Sequence, residues 1–217
     1  EISTRDWSSD VCSSDLNCID GIQRQIKARP PKIADKPYQG FYVELDIAKR
    51  SFAIRDNCGG IPRDKAELYA FRLGRPSDTP AEELPTVGVY GIGMKRAIFK
   101  LGRSATVTTL NAGKAYKVTI SPIWMKSDDD WELPIVDLSK PAIPEGLAAS
   151  GGTIIEVKQL LDSVESEFDF QKSNFIEKLV GTIATHYSYV IHKGFRILIN
   201  GRVVKPKSLG ILIEAPK

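Results

Sequence analysis

Apolar positions recur at two spacings along this chain, one typical of helices and one typical of strands. Ile19, Ile22 and Ile26 fall on one face of a helix that ends before the breaker pair Pro30-Pro31. Further helices are predicted over 63–72, 94–101 and 171–190. Alternating apolar and polar residues predict strands over 41–48, 51–56, 103–110, 114–123, 131–138 and 153–160, with a final hairpin over 195–204.

Short turn sequences join several of these strands directly to the next one. Residues 49–50 separate the first two strands, and residues 111–113 separate the next pair. The last hairpin closes on Asn200-Gly201, a dipeptide that favours a type I′ turn. Hairpins make antiparallel neighbours, and helical segments lie between them. We therefore predict an α/β fold of two layers, with a mixed, mostly antiparallel sheet and helices on one face.

Composition narrows the class of protein without identifying it. The 217 residues are 42% hydrophobic and 26% charged, which is typical of a globular domain, and no apolar run has the length of a membrane span. No signal peptide is recognised, and Cys12, Cys18 and Cys58 lack the spacing of a disulfide framework or a zinc motif. We expect a cytoplasmic protein without a membrane partner. His186 and His192 are assigned to helix ends or the surface.

The first sixteen residues fit neither spacing. Residues 6–16 repeat Ser and Asp without periodicity and match the translation of a common sequencing-library adapter. We therefore expect residues 1–16 to be non-native, residues 17–205 to form the domain, and residues 206–217 to begin a truncated downstream region. Because residues 1–16 hold four acidic residues and one basic residue, excluding them raises the net charge above the +3 of the whole chain. A mild positive charge suits a polyanionic ligand.

A glycine-rich stretch over residues 86–98 runs directly into a predicted helix. Its glycines are followed by Lys95, two residues after the last of them. Such a loop leaves backbone N–H groups free at the positive end of a helix dipole, where phosphate binds readily. Glycines also serve ordinary turns, so this motif gains meaning only beside the others.

Four motifs in a fixed order carry a family resemblance. They are an Asn/Asp pair on the first helix, a strand-end aspartate followed by glycines, the glycine loop, and a Gly-Thr pair that opens a strand, at 17–20, 56–60, 88–93 and 152–153. In this order the chain resembles the GHKL superfamily, the ATP-binding domain of type II gyrases, the large heat-shock chaperone, histidine kinases and MutL. The resemblance covers residues 17–205 and implies a Bergerat-type ATP-binding fold that takes ATP and Mg²⁺.

The resemblance implies an adenine site around Asp56. Its carboxylate would accept a hydrogen bond from the adenine amino group and repel the carbonyl oxygen of guanine. Gly60 would let the backbone approach the base, Ile61 would pack on it, and Thr153 would help to hold it. A turn-initiating role explains Asp56 equally well when it is considered alone, and Thr153 also suits an ordinary strand. Cys58 stands where the family usually has glycine.

The resemblance places magnesium and the phosphates at the other motifs. Asn17 matches the asparagine whose side-chain oxygen ligates Mg²⁺, and Asp20 lies one turn later on the same helix face. Residues 74–87 resemble the lid that closes over the nucleotide. The phosphates would contact main-chain N–H groups and one lysine, from the set Gly88, Tyr90, Gly91, Ile92, Gly93, Met94 and Lys95. A solvated helix lysine is the alternative for the last of these.

One position departs from the family pattern. The family's general base is a glutamate one helical turn before the asparagine, and that position is Ser13 here, inside the segment expected to be non-native. A serine hydroxyl cannot act as a base near neutral pH without its own activator. We therefore predict that this chain binds ATP and hydrolyses it poorly, whereas the intact protein is an ATPase.

The motifs look most like those of the chaperone-like and MORC-like ATPases. In that branch ATP closes the lid and drives N-terminal dimerisation, which predicts a homodimer; the downstream client, protein or nucleic acid, is not identified by the sequence. Two alternatives remain open. One is the catalytic domain of a histidine kinase, and the other is an interaction module that binds ATP without hydrolysing it. A native glutamate four residues before Asn17 would favour hydrolysis.

Overall fold

The computed structural model describes residues 18–19, 21–27, 35–71, 93–122, 133–147 and 149–207. Eight strands form one sheet in the order β5-β4-β3-β6-β2-β1-β7-β8. In chain order the strands are Tyr42–Ala48 (β1), Ser51–Asp56 (β2), Gly102–Asn111 (β3), Lys114–Ile120 (β4), Ile135–Leu138 (β5), Gly152–Leu160 (β6), Arg196–Ile199 (β7) and Arg202–Val203 (β8). Only β1 and β7 pair in parallel; the other neighbours are antiparallel.

Helices connect these strands at several points. Residues 18–19 and 21–27 are helical and are called α1 here. A helical turn over Arg63–Lys65 (α2) continues as a single π-helical turn over Ala66–Ala70, and a 3₁₀ turn covers Lys140–Ala142. The remaining helices are Gly93–Leu101 (α3), Asp162–Glu167 (α4), Phe175–His186 (α5) and Ser188–His192 (α6). In the described ranges, no helix has the length and apolarity needed to span a bilayer.

The strand register brings apolar side chains of seven strands into one line across the sheet. This central row contains Ile199, Leu45, Ile54, Ile155, Val107, Val118 and Ile135. Successive residues of a strand point to opposite faces, so the row defines the inner face of the sheet. The expected mixed, mostly antiparallel sheet is confirmed.

Helices cover this inner face and form the main core. Ile22 of α1, Leu101 of α3, Val164 of α4 and Leu179 of α5 are all buried in the same apolar cluster. Burying such a side chain stabilises the fold by about 1.5–3 kcal/mol relative to leaving it exposed. On the opposite face a smaller cluster forms under the segment after β5, from Leu110, Ala115 and Leu147. The two-layer arrangement expected from the sequence is therefore present.

Two of the three hairpin turns expected from the sequence have positive φ at their central residues. Ala112 and Gly113 have φ of 49° and 78°, and Asn200 and Gly201 have φ of 48° and 76°. Positive φ at both central residues is the mark of a type I′ turn, whose twist matches the flanking strands. The Asn200 side chain also accepts a hydrogen bond from the Ile47 N–H at 2.7 Å and donates to the Ile47 carbonyl at 3.0 Å, which ties the hairpin to β1.

The predicted helix over 171–190 is wrong in two respects. Its first residues form a turn instead, in which Ser173 Oγ accepts a hydrogen bond from the Phe175 N–H at 3.1 Å, and the helix starts at Phe175. The helix also breaks at Tyr187, and Ser188 Oγ donates to the carbonyl of Lys207 at 2.6 Å. The short helix α4 was not predicted. The strand predicted over 131–138 is confined to β5 among the described residues.

Candidate nucleotide-binding site

A second row of residues lies on the inner face next to the central apolar row. It is apolar on β1 and polar on β2, β6, β3 and β4. In this polar row Asp56 of β2 pairs with Thr153 of β6, which is followed by Thr109 of β3 and Tyr116 of β4. The neighbouring residue of β1, Val43, is fully buried. Polar groups thus lie together at the end of an apolar surface, a common setting for a small-molecule site.

Asp56 is partly buried at the last position of β2, and its carboxylate is held by the turn that follows. Its Oδ1 accepts a hydrogen bond from the Cys58 N–H at 2.7 Å. This contact is the one expected of a turn-initiating aspartate, so the turn role is present. It leaves the second carboxylate oxygen to other partners. The turn therefore fixes the direction of the carboxylate.

Burial governs the proton affinity of this carboxylate. It raises the pKa of Asp56 from 3.8 to about 6, because an ion is poorly solvated at this depth. Hydrogen bonds from the backbone of Cys58, the Cys18 thiol and the backbone of Thr153 lower the pKa and offset only part of this effect. A carboxylate with a raised pKa in a partly buried site is a candidate for ligand binding.

Helix α1 packs directly against the segment after β2. A Cβ atom at Gly21 would lie 2.3 Å from the carbonyl oxygen of Cys58, so this approach requires glycine. Cys18 lies one turn earlier on α1, is buried, and hydrogen-bonds Asp56. Helix α1 therefore adjoins the aspartate motif. The predicted Asn17 and Asp20 lie outside the described ranges.

The glycine motif after Asp56 crosses the end of β3 at close range. Gly60 has φ of +68°, and a Cβ atom there would lie 2.2 Å from the carbonyl oxygen of Leu110. Glycine is thus required by both the backbone conformation and the space available. The adjacent carbonyl of Gly59 accepts a hydrogen bond from Asn111 Nδ2 at 2.6 Å. The segment is fixed to β3 before it reaches Ile61.

Ile61 is held by both of its backbone polar groups. Its N–H donates to Thr109 Oγ1 at 2.9 Å, and its carbonyl accepts a hydrogen bond from the Tyr116 hydroxyl at 2.8 Å. The Arg63 guanidinium lies over the Tyr116 ring, 5.3 Å from its centroid. Ile61 is partly buried against the core, which leaves part of its side chain exposed.

Thr109 determines the hydrogen-bonding role of Thr153. Thr109 Oγ1 is 3.0 Å from the carbonyl oxygen of Gly152 and 3.2 Å from Thr153 Oγ1. Thr109 has a single hydroxyl proton, and the Gly152 carbonyl can only accept. All contacts are satisfied when Thr109 donates to Gly152 and Thr153 donates to Thr109. Thr153 Oγ1 then keeps its lone pairs free of that bond, at the strand position that pairs with Asp56.

The structure brings together four of the predicted site residues, Asp56, Gly60, Ile61 and Thr153, through the contacts described above. At a separate element, α3 begins at Gly93, as the glycine motif predicted, and Met94 is buried in the core. Lys95 lies in the first turn of α3, and its side chain is outside what the structure describes. The other predicted positions lie outside the described residues: Ser13, Asn17, Asp20, Gly88, Tyr90, Gly91, Ile92 and the lid over 74–87.

Sequence reasoning missed Thr109, Tyr116 and the proximity of Cys18 to Cys58. The two cysteines are forty positions apart, so their spacing gave no sign of a pair. Thr109 did leave a signal, because it occupies the inward position that Ala105 and Val107 fill with apolar side chains. A fully buried hydroxyl at such a position requires a partner.

Comparisons with known proteins agree with this arrangement. Residues 40–150, just over half of the chain, match the family model described as histidine kinase-, DNA gyrase B-, and HSP90-like ATPase. Among solved structures the chain is similar to the ATPase and transducer domains of DNA topoisomerase II from Balamuthia mandrillaris, with a TM-score of 0.55 and 16% identity. That similarity covers 92% of this chain and 48% of the topoisomerase chain, so this chain spans about half the length of the topoisomerase chain. No curated protein matches the chain.

The family model includes β1 to β4 and the segment from Asp56 to Ile61, and the solved structure supports the same fold. This chain therefore belongs to the family of histidine kinase-, DNA gyrase B- and HSP90-like ATPases, the GHKL superfamily with its Bergerat ATP-binding fold.

Proposed function

We propose that this domain binds Mg·ATP and that the intact protein couples its hydrolysis to lid closure and dimerisation in the cytoplasm. The single observation that carries the proposal is the partly buried Asp56 carboxylate, which pairs in register with Thr153 at the end of an apolar sheet face. Adenine offers an exocyclic amino group that needs such acceptors, and its ring needs an apolar surface.

Specificity for adenine follows from the acceptors alone. Ionised Asp56 can only accept hydrogen bonds, and Thr153 has its proton committed to Thr109 in the arrangement that satisfies every contact. The amino group of adenine would satisfy both. The carbonyl oxygen that guanine carries at the same position would face two acceptors and be repelled.

The first turn of α3 is the proposed phosphate-binding end of the site. This helix begins at Gly93 and has no acidic residue in its first turn, so its free N–H groups and dipole favour an anion. Bound Mg²⁺ would neutralise phosphate charge, with Asn17 as the proposed protein ligand. Lys95 would contact the terminal phosphates, and residues 74–87 would exclude water when closed.

Nucleotide titrations test the adenine site. The parent chain should bind Mg·ATP and discriminate against Mg·GTP, and Asp56→Asn should weaken Mg·ATP binding by about tenfold to a hundredfold, since hydrogen bonds to charged groups contribute about 1.5–3 kcal/mol. The matched control is Asp46→Asn, because Asp46 lies on the outer face of the neighbouring strand and pairs with Arg55. Equal affinity for the two nucleotides, or unchanged Mg·ATP affinity in Asp56→Asn, would contradict the proposal.

Hydrolysis needs a separate test, because the expected base position is Ser13. The chain as printed should bind Mg·ATP and release phosphate slowly, and Ser13→Glu should raise the turnover rate without a matching change in nucleotide affinity. Ser14→Glu is the neighbouring control and should leave turnover low. Comparable rates in the parent chain and Ser13→Glu would show that the base has been assigned to the wrong position.

A further inference from the structure

We propose that Cys18, Asp56 and Cys58 form a binding site for a thiophilic divalent cation such as Zn²⁺ or Cd²⁺. The ligand atoms of these three residues all lie within 4.8 Å of one another. Both cysteines are buried, with 4% and 2% of their surfaces exposed, and Asp56 is partly buried. The consequence for ATP described below rests on the proposed function, whereas the metal site itself does not.

The distances suit a tetrahedral ion after small side-chain rotations. With Zn–S bonds of about 2.3 Å, two sulfur ligands of a tetrahedral centre lie roughly 3.8 Å apart. The present arrangement keeps the three groups in mutual contact without the ion. The Cys18 thiol hydrogen-bonds both Asp56 and Cys58, and Cys58 Sγ lies 3.7 Å from the Tyr42 carbonyl oxygen. These weak bonds would be exchanged for metal–ligand bonds.

The backbone fixes this cluster in place. Gly21 lies three residues after Cys18 on α1 and contacts the Cys58 carbonyl so closely that a Cβ would stand 2.3 Å from it. Residues three apart share a helix face, so Cys18 necessarily faces the same segment. Asp56 and Cys58 are joined by the 2.7 Å turn hydrogen bond. Little conformational freedom would therefore be lost when an ion binds.

The ligand types select the class of metal. Thiolate sulfur favours Zn²⁺ and softer ions such as Cd²⁺, whereas Mg²⁺ requires oxygen ligands. The cluster is thus distinct in chemistry from the magnesium position proposed at Asn17. On binding, each thiol would exchange its S–H bond for an S–metal bond and release its proton to solvent. A disulfide would use only the two thiols, whereas a metal site would use all three groups.

Occupancy of this cluster would oppose ATP binding. The ion would take a carboxylate oxygen of Asp56, which is the proposed acceptor for the adenine amino group. One carboxylate would then serve two competing ligands, and a thiophilic cation would lower the affinity for Mg·ATP. This effect would be specific to this chain's two cysteines, one of which stands where the resembled family has glycine.

Cadmium absorbance tests the site without nucleotide. Cd²⁺ added to the metal-free full chain, under a non-thiol reductant, should produce the ultraviolet charge-transfer band of cadmium thiolates and saturate at one ion per chain. Cys18→Ser and Cys58→Ser should lose the band, and Cys12→Ser, the matched control, should keep it. Far-ultraviolet circular dichroism checks that each variant is folded.

Asp56→Asn provides a second variant that retains both thiols. It should keep the band and bind Cd²⁺ more weakly by about tenfold or more, because even outer-shell partners contribute about 10–100-fold to metal affinity. The site would be overturned by the absence of a band in the parent chain, by a band that depends on Cys12, or by unchanged affinity in Asp56→Asn. A mass two hydrogens below that of the reduced chain would indicate a disulfide and would also overturn it.

Mg·ATP titrations with and without saturating Cd²⁺ then test the competition. Mg·ATP affinity should fall in the parent chain by more than in Cys18→Ser, in which chelation of Cd²⁺ by the nucleotide is the same. An equal fall in both would overturn the competition. If the parent chain binds no ATP but shows the thiolate band, the proposed function fails and the metal site stands. If ATP binds and no band develops, only the metal site fails.

Discussion

At the residue scale, the most informative group is the Asp56 carboxylate. It lies at a position where an uncharged side chain would make the folded protein more stable. Burial raises its pKa to about 6, and its hydrogen-bond donors offset this only in part. A group kept at such a cost is commonly a functional one. The sign of its contribution to folding can be tested directly.

Asp56→Asn should stabilise the folded protein above the raised pKa. The folded state binds the Asp56 proton more tightly than the unfolded chain, in which the pKa is near 3.8. Protonation of Asp56 therefore stabilises the fold, and this contribution is fully present below about pH 4 and is lost as pH rises through about 6. Asparagine resembles the protonated form. The variant should therefore exceed the parent by up to about 3 kcal/mol near pH 8 and match it near pH 4, as measured by urea unfolding.

Asp169→Asn is the control of opposite sign. The Lys49 ammonium, 2.9 Å away, lowers the pKa of Asp169, so this carboxylate stabilises the fold above its ordinary pKa and loses that effect as pH falls. Its asparagine variant should be less stable than the parent at neutral pH. An Asp56→Asn variant that is less stable than the parent near both pH 8 and pH 4 would contradict the account of its burial.

Thr109 provides a second prediction at this scale. Thr109→Val removes a hydroxyl that serves the Ile61 N–H and the Gly152 carbonyl, and each buried group left unpaired costs about 1–3 kcal/mol. Thr109→Ser keeps the oxygen and should lose only the contribution of one methyl group, about 0.8 kcal/mol. Urea unfolding measures both, and Thr108→Val, on the outer face of the same strand, should cost less than Thr109→Val. Equal losses for Val and Ser at position 109 would refute the hydroxyl's role.

At the element scale, the contact between α1 and the segment after β2 decides the geometry of the site. Ile22 anchors α1 in the main core, and Gly21 allows the helix backbone to reach the Cys58 carbonyl. This contact sets the position of α1 relative to Asp56. The placement of α1 beside the proposed adenine acceptor therefore depends on one glycine.

Two helical glycines make a matched test of this contact. A Cβ at Gly21 would stand 2.3 Å from backbone, so Gly21→Ala should displace α1 and destabilise the protein by about 1–3 kcal/mol, as overpacked substitutions do. Nothing lies within 4 Å of the corresponding atom at Gly181 in α5, so Gly181→Ala should stabilise it by about 0.5–1 kcal/mol through helix propensity. Urea unfolding measures both, and a shift of the same sign in both variants would contradict the prediction.

At the scale of the whole molecule, the sheet combines two functions in neighbouring rows. The central row is apolar across seven strands and anchors the helices, while the polar row beside it presents Asp56, Thr153, Thr109 and Tyr116. The antiparallel register places both rows on one face. The proposed binding chemistry therefore lies at the border of the core, where apolar surface and hydrogen-bond acceptors meet.

Much of this architecture was determined by the sequence alone. Alternation and turn dipeptides predicted β1, β2, β3 and β4 to within a few residues, because hairpins depend on local φ preferences and on a period of two. The order of the motifs predicted the family. The prediction of one long helix over 171–190 was wrong, because periodicity does not reveal the hydrogen bonds that Ser173 and Ser188 form where the helix is interrupted.

The tertiary structure alone decided which distant residues meet. Sheet register placed Thr109 between Ile61 and Gly152, and the docking of α1 placed Cys18 beside Cys58. Register and docking depend on the summed packing of many side chains, so no short segment encodes them. The sequence therefore determined the elements, the chemistry available at Asp56 and its local turn, whereas its distant partners Cys18 and Thr153 were determined only when the elements packed.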